Sequence, residues 1–283
     1  MASEQVSLRE RIGELAHAED GIRIIHLWQV QELATAFECP IRDVQLAALE
    51  ANVVPWRYVR NLGTVGLEGQ IKLLRSTVAV VGLGGLGGYV AEALARMGVG
   101  QLILIDGDVF EEHNLNRQIL STETGLGAHK AEVAQQRVAE INGAVEVTGH
   151  ATRLTQENLP RLLEGADLVV DGLDRLPTRL ILQEGAQALG IPMVHGSIAG
   201  YLGQVMTIYP GDPGLRSLYG EPGDLPDQGL EAQLGTPAAT PMAVAAWEAQ
   251  EAVKTLLGRG EPLRNRLLVM DMESGTIDVL QLG

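Results

Sequence analysis

Cysteine is nearly absent from this 283-residue chain, with Cys39 the single example. One thiol closes no intramolecular disulfide and assembles no thiolate zinc site, so neither device is expected to hold the fold. Aromatic residues are scarce too, at 4%, so the core must be aliphatic. Positive charge is in deficit: 21 Lys and Arg face 36 Asp and Glu, a net charge of −15. Nucleic acid and anionic lipid both demand basic surface, so neither is an expected partner, although a local basic site is still allowed. Long apolar runs are missing as well. No stretch approaches a membrane span, and the opening MASEQVSLRER lacks the apolar centre of a signal peptide. These absences point to a soluble, cytoplasmic protein with no membrane partner.

What the chain does have is 46% hydrophobic residues and 34 glycines, enough for one large domain or a large domain with a small companion. The organising stretch runs from Thr77 to Lys130. Val78 to Val81 reads as a buried parallel strand, Gly82 to Gly88 as a turn, Tyr89 to Met97 as a helix and Gln101 to Ile105 as a second strand. This is a βαβ unit. Gly82, Gly84, Gly85 and Gly87 let the backbone approach an anion, which the N–H groups at the start of the following helix would face. Asp106, at the end of the second strand, is placed to accept from ribose hydroxyls. Such a turn alone fits NAD and a dehydrogenase as readily as ATP. The polar group that follows, Asn114, Arg117, Gln118 and Lys130, has no task in hydride transfer. Two cations just past a nucleotide-binding strand suit a triphosphate, whose charge must be neutralised before pyrophosphate leaves.

The runs GLGGLG, IDGDVFEEHNLNRQ, GLGAHKAEVA, VVDGLDRLPTRLILQ and IPMVHGSIAGYLGQV, in that order, resemble the ThiF/MoeB/HesA adenylyltransferases, bacterial relatives of ubiquitin-activating enzymes. The similarity begins near Arg57 and continues to the C-terminus. It implies an α/β fold: a Rossmann-like, mostly parallel sheet with helices on both faces, continued by antiparallel C-terminal strands. It also implies a homodimer that uses ATP and Mg²⁺ to adenylate the C-terminal Gly-Gly carboxylate of a small ubiquitin-like sulfur carrier, for thiamine, molybdopterin, tungstopterin or related biosynthesis. On this resemblance the nucleotide set is Gly82, Gly84, Gly85, Gly87, Asp106, Asp108, Asn114, Arg117, Gln118 and Lys130. Asp174 holds magnesium, and Arg117, Lys130 and Arg60 stabilise developing charge, Arg60 reaching the site of the dimer mate. Adenylation of another acceptor, as in tRNA-modifying dehydratase or peptide-modifying relatives, is the alternative, and a noncatalytic nucleotide-binding scaffold is a third reading.

Residues 1–56 precede the resemblance and read as a small all-helical extension, leaving 57–283 as the adenylyltransferase domain. Ser7 and Glu10 form a possible capping box, and ELATAF followed by PIRDVQLAAL has the look of a helix-turn-helix. A DNA reader would need cations there, yet residues 1–58 hold five Lys and Arg against nine Asp and Glu, which favours a packing or docking role. Cys39 lies in the turn without a neighbouring His or Lys to activate it. Arg57 and Tyr58 are expected to pack.

Further along, Ala131 to Ile141 continues as helix, Val145 to Val147 is a short strand, Gln156 to Leu163 a helix and Ala166 to Asp171 a buried strand. Asp174 emerges at the strand end, where open parallel sheets carry their ligands; Asp171 sits closer to the strand body and could be a structural acceptor. Arg179 is either solvated or functional, and His195 reads as a satisfied structural residue. Ile191 to Ser197 and Gln204 to Tyr209 are strands, residues 210–240 a mobile crossover, Ala243 to Leu257 a helix, and Arg266 to Met270 with Thr276 to Leu280 an antiparallel pair. Many relatives hold a structural zinc with two CxxC pairs, but the corresponding regions here, GDPGLRSLYG and DVLQLG, have no cysteine, so no zinc is expected. None lies between Gly211 and Pro241 either, which implies that the chain stops at the acyl-adenylate and takes sulfur from another source.

Overall fold

The computed structural model describes residues 7–220, 229 and 231–282. Its N-terminal part contains α1 (Leu8–Leu15), β1 (His17–Glu19), β2 (Ile22–Ile25), α2 (Leu27–Ala36), α3 (Ile41–Glu50) and β3 (Val54–Pro55). The capping box is present: Ser7 Oγ accepts from the Glu10 N–H, and Glu10 accepts from the Ser7 N–H at 2.7 Å. The helix pair forms as expected, with Phe37 ending α2 and Pro40 opening α3. An all-helical segment, however, is not what forms. A three-stranded sheet of order β1-β2-β3 lies within it, because Asp20 and Gly21 take left-handed φ of 49° and 79° and so reverse the chain between β1 and β2. Ile12, Ile25, Val30, Leu33, Val44 and Ala48 make a small core of their own. Leu49 and Tyr58 carry it onto Ile71 and Leu74 of α4 (Leu62–Arg75).

The larger part builds one eight-stranded sheet. In chain order its elements are β4 (Thr77–Val81), α5 (Gly87–Met97), β5 (Gln101–Ile105), α6 (Lys130–Ile141), β6 (Glu146–His150), α7 (Leu159–Leu162), β7 (Leu168–Asp171), α8 (Leu176–Ala188), β8 (Met193–Ala199) and β9 (Leu202–Ile208). There follow α9 (Arg216–Tyr219), α10 (Glu231–Leu234), α11 (Ala239–Leu257), β10 (Arg266–Asp271) and β11 (Thr276–Gln281). The strand order is β11-β10-β9-β8-β7-β4-β5-β6. From β6 to β8 all pairings are parallel, and from β8 to β11 all are antiparallel.

The central strands are continuous apolar runs because both faces are covered. Val78, Val80, Leu102 and Leu104 point into the layer that holds α5, α6 and α11. Their neighbours Ala79, Val81, Ile103 and Ile105 point the other way, toward residues of α7 and α8. Each valine, leucine or isoleucine so buried contributes about 1.5–3 kcal/mol of transfer free energy.

Several boundaries differ from expectation for local reasons. Helix α7 is shorter than Gln156 to Leu163, since Thr155 and Asn158 close a polar turn, with the Thr155 N–H donating to Asn158 Oδ1 at 2.8 Å. Helix α11 begins at Ala239, earlier than Ala243, with Pro241 accommodated in its first turn. The crossover expected over 210–240 lies partly outside the described residues; α9 and α10 fall in its described parts. Among the described residues no helix is long and apolar enough to cross a membrane.

Candidate functional site

Strand β4 is flanked by β5 and β7, so the connections leave it in opposite directions and open a crevice at the carboxyl ends of the strands. Two glycines make the crevice possible. Gly82 has φ of 86°, and a Cβ there would meet the Gly172 carbonyl oxygen at 2.5 Å. At Gly87 a Cβ would meet the Gly82 carbonyl oxygen at 1.8 Å. These two serve the fold. Gly84 and Gly85 differ: their nearest contacts would be Gln118 Nε2 at 3.4 Å and Pro241 Cβ at 3.6 Å, which are ordinary van der Waals distances. Both line a cavity of about 900 Å³, within the usual range for a small-molecule site.

The cavity collects most of the sequence-predicted residues. Gly82, Gly84 and Gly85 form its turn, while Asp106, Asp108, Arg117, Gln118, Lys130 and Asp174 stand in its wall. Asp106 is anchored: Oδ2 accepts from the Leu83 N–H at 2.7 Å and Oδ1 from the Asp108 N–H at 2.8 Å. The carboxylate therefore shapes the glycine turn and keeps lone pairs for a further donor. Burial pushes its pKa up, opposed by the charge of Lys130 and by the two N–H groups. Lys130 opens α6 and is buried, with Nζ 3.7 Å from Asp108 Oδ2. Arg117 is braced by the His113 carbonyl at 3.0 Å and Asn116 Oδ1 at 2.9 Å. Burial lowers its pKa, and the charge of Asp174 acts against that shift. Gln118 is buried, and among the described residues its Oε1 has no hydrogen-bond partner. Despite the acidic chain, the wall holds five cations, Arg117, Lys130, Arg153, Arg175 and Arg179, against the three aspartates.

Three predicted residues stand elsewhere. Gly87 is in the first turn of α5, behind the wall. Asn114 is buried, and its Oδ1 accepts from the Glu111 N–H at 3.0 Å, so it shapes the loop that carries Arg117 and Gln118. Arg60 is exposed and does not line the cavity of its own chain. Arg57 and Tyr58 pack as expected: Arg57 donates to the Ile141 carbonyl, and the Tyr58 hydroxyl donates to Gln45 Oε1 at 3.0 Å and accepts from Asn142. Burial raises the Cys39 pKa, as suits a small apolar residue rather than a nucleophile.

Beneath the wall lies a second charged cluster. Asp171 is fully buried; its Oδ1 accepts from the Leu173 N–H at 3.0 Å, and its Oδ2 lies 2.7 Å from His195 Nδ1 and 3.7 Å from Arg179 Nε. Arg179 also donates to the Leu173 carbonyl and is buried rather than solvated. The cluster lies at the strand exit from which Asp174 emerges; Asp171 is committed within it, while His195, expected from the sequence to be satisfied, keeps Nε2 without a hydrogen-bond partner among the described residues. Burial depresses the His195 pKa, while the Asp171 hydrogen bond raises it. Glu248 was not singled out by the sequence. It is fully buried under Gly196, its oxygens are unpartnered among the described residues, and burial followed by the Asp171 charge drives its pKa well above 4.5. The available signal was an acid inside the apolar run AVAAWEAQEAV. Arg153, which reaches Asp108 at 3.1 Å, was missed for want of any motif around it.

Residues 58–283 match the ThiF family. The SAMP-activating enzyme E1 of Haloferax volcanii is 40% identical over 229 residues, 79% of this chain and 84% of that protein. The sulfur carrier protein adenylyltransferase of Thermus thermophilus is also 40% identical, over 76% of this chain and 82% of its own. In shape, the crystal structure of E. coli MccB with MccA-N7isoASN agrees with a TM-score of 0.71 at 23% identity, covering 89% of this chain and 79% of that one, a likeness of fold. A glycine turn at the switch point, a cation-rich wall that also holds Asp174 and a match that spans all but the N-terminal unit lead to one conclusion: this chain belongs to the ThiF family.

Proposed function

We propose that the chain binds Mg·ATP in the cavity beside β4 and adenylates the C-terminal Gly-Gly carboxylate of a small ubiquitin-like sulfur carrier. The observation that carries this reading is the wall itself: Arg117, Lys130 and Asp174 line one cavity with an open glycine turn, and the charge of Asp174 acts on Arg117. Support comes from the names of the 40%-identical relatives, a sulfur carrier protein adenylyltransferase and a SAMP-activating E1.

A carboxylate is ionised at neutral pH and needs no general base. Its oxygen attacks the α-phosphorus of ATP, the bond from that phosphorus to the bridging oxygen breaks, and pyrophosphate leaves with the electron pair. The products are the carrier acyl-adenylate and pyrophosphate. Catalysis then rests on placement and charge. Asp106 receives the ribose, the N–H groups about Gly84 and Gly85 receive phosphate, and Arg117 and Lys130 stabilise the charge that grows on the leaving group. Asp174 is the donor for magnesium. Among the described residues it belongs to no group of three metal-ligating side chains, which fits an ion that binds through one carboxylate, substrate phosphates and water. With Cys39 the single cysteine, sulfur would come from another protein or a small donor.

The domain boundary near residue 57 belongs to the same reading, with residues 57–283 as the catalytic unit. So does a homodimer in which Arg60 serves the mate's cavity. Mixing Arg60→Ala with Asp174→Ala protein tests the dimer: hybrids should regain activity, and a mixture as inactive as its parts would remove Arg60 from the shared site. The test of function is ATP–pyrophosphate exchange with and without Gly-Gly-ended carrier proteins. Exchange that needs a carrier and vanishes in Asp174→Ala is expected; ATP binding without exchange on any carrier would overturn the reading.

A further inference from the structure

The single cysteine bars thiolate zinc sites, but that exclusion does not reach imidazole and carboxylate donors. Such donors meet in the N-terminal unit, far in sequence from the cavity motifs. His17 and Glu19 are the first and last residues of β1, two apart and so on one face of the strand. Strand β2 returns antiparallel, with His17 opposite Ile24, and His26 follows directly as the N-cap of α2. A ligand atom from each of the three lies within 4.8 Å of the other two. His17 Nε2 is 3.9 Å from Glu19 Oε2, and the two imidazole rings have centroids 5.1 Å apart.

We propose that His17, Glu19 and His26 form a three-ligand site for one divalent transition ion, zinc foremost, which ties the β1–β2 hairpin to the start of α2. Two imidazoles and one carboxylate are a donor set that zinc takes with a remaining position open to water. Tetrahedral bonds of about 2.0–2.2 Å put donors roughly 3.4 Å apart, so the trio, spread within 4.8 Å, needs to contract by at most about 1.4 Å, within the reach of side-chain rotation. The backbone under it is held. The Asp20–Gly21 turn fixes the hairpin, the His26 N–H donates to Gln29 Oε1 at 2.8 Å, and Gln29 Nε2 donates to the Leu15 carbonyl at 3.1 Å. Trp56 packs edge-on against the His26 ring at 6.0 Å, an apolar backing that limits the ring's motion. Among the described residues this trio is the one cluster of three metal-ligating side chains. The site is independent of the adenylation reading.

Tag-free protein, stripped with chelator and titrated calorimetrically with Zn²⁺, tests the proposal. One ion per chain is expected, with Co²⁺ giving the visible absorption of a four-coordinate centre. His17→Ala and His26→Ala should each weaken Zn²⁺ binding by roughly tenfold or more, the scale on which zinc sites answer to lost support, while His113→Ala should leave it unchanged. If the alanine variants do not fold, the unmutated protein still decides: Zn²⁺ should shield His17 and His26 from diethyl pyrocarbonate and leave His113 reactive. No binding by the unmutated chain, binding that survives both histidine substitutions, or an absence of shielding would overturn the site.

Discussion

Two groups of charged side chains sit at the same end of the sheet and differ in what surrounds them. Arg117, Lys130, Asp106 and Asp174 face the cavity, each with capacity left for a ligand. Asp171, His195 and Glu248 lie a layer deeper without exposure, and Arg179 links them to the wall: Asp171 pairs with His195 Nδ1 and Arg179 and accepts from the Leu173 N–H, and Arg179 donates to the Leu173 carbonyl. Similar chemistry therefore serves opposite ends. Charges in the wall stay open to a ligand, whereas the buried set lies at the strand exit behind it.

That contrast makes Asp171→Ala the most damaging change. It leaves Arg179 and His195 buried without their acid, at a cost of about 3–5 kcal/mol in folding free energy. Urea unfolding would measure it, and a variant as stable as the parent would dissolve the distinction between the layers. Arg117→Ala should do the reverse. Stability stays close to that of the parent, while pyrophosphate exchange loses about 2–4 kcal/mol of transition-state stabilisation, the usual effect of removing one such donor. Unchanged exchange would take Arg117 out of the catalytic set.

Much of this was legible in the sequence, and for physical reasons. Strands β4, β5 and β7 are buried on both faces and so read as unbroken apolar runs, and the glycine turn announces itself by composition. Asp171 and Asp174 could be told apart because one belongs to the strand body and the other to its exit. The β1–β2 hairpin was hidden since its strands are three and four residues long, too short for periodicity to register. Its Asp20–Gly21 pair was the readable signal. Glu248 escaped notice because its burial comes from β8 crossing over α11, a contact distant in sequence.

Glu248→Gln sharpens the comparison through pH. Burial raises the Glu248 pKa above 4.5, so the folded state holds a proton that the unfolded chain gives up more readily. Its contribution to stability is complete below 4.5 and is lost as pH rises toward the raised value, by at most about 1.4 kcal/mol per pH unit. His195, whose pKa is depressed from 6.5, works the other way: its contribution is complete above 6.5 and falls away as pH drops. The glutamine variant removes the first dependence and keeps the second. Relative to the parent it should gain stability steadily as pH rises from 4.5, and a pH-independent difference in denaturation midpoints would show that Glu248 is not held neutral.

The finest comparison is between two glycines of one turn. Gly82→Ala forces a side chain into left-handed backbone, about 1–2 kcal/mol by itself, and against the Gly172 carbonyl at 2.5 Å, so it should destabilise the whole domain. Gly84→Ala meets only Gln118 Nε2 at 3.4 Å, and its folding free energy should stay within about 0.5 kcal/mol of the parent. The added methyl instead occupies cavity volume where phosphate would lie against the backbone. ATP affinity should fall by about 1 kcal/mol, roughly fivefold. Calorimetric ATP binding set beside thermal unfolding of both variants separates the two roles. A Gly84→Ala protein that binds ATP as tightly as the parent would mean that the phosphates do not approach the turn at Gly84, and the wall would have to be redrawn around Arg117 and Lys130 alone.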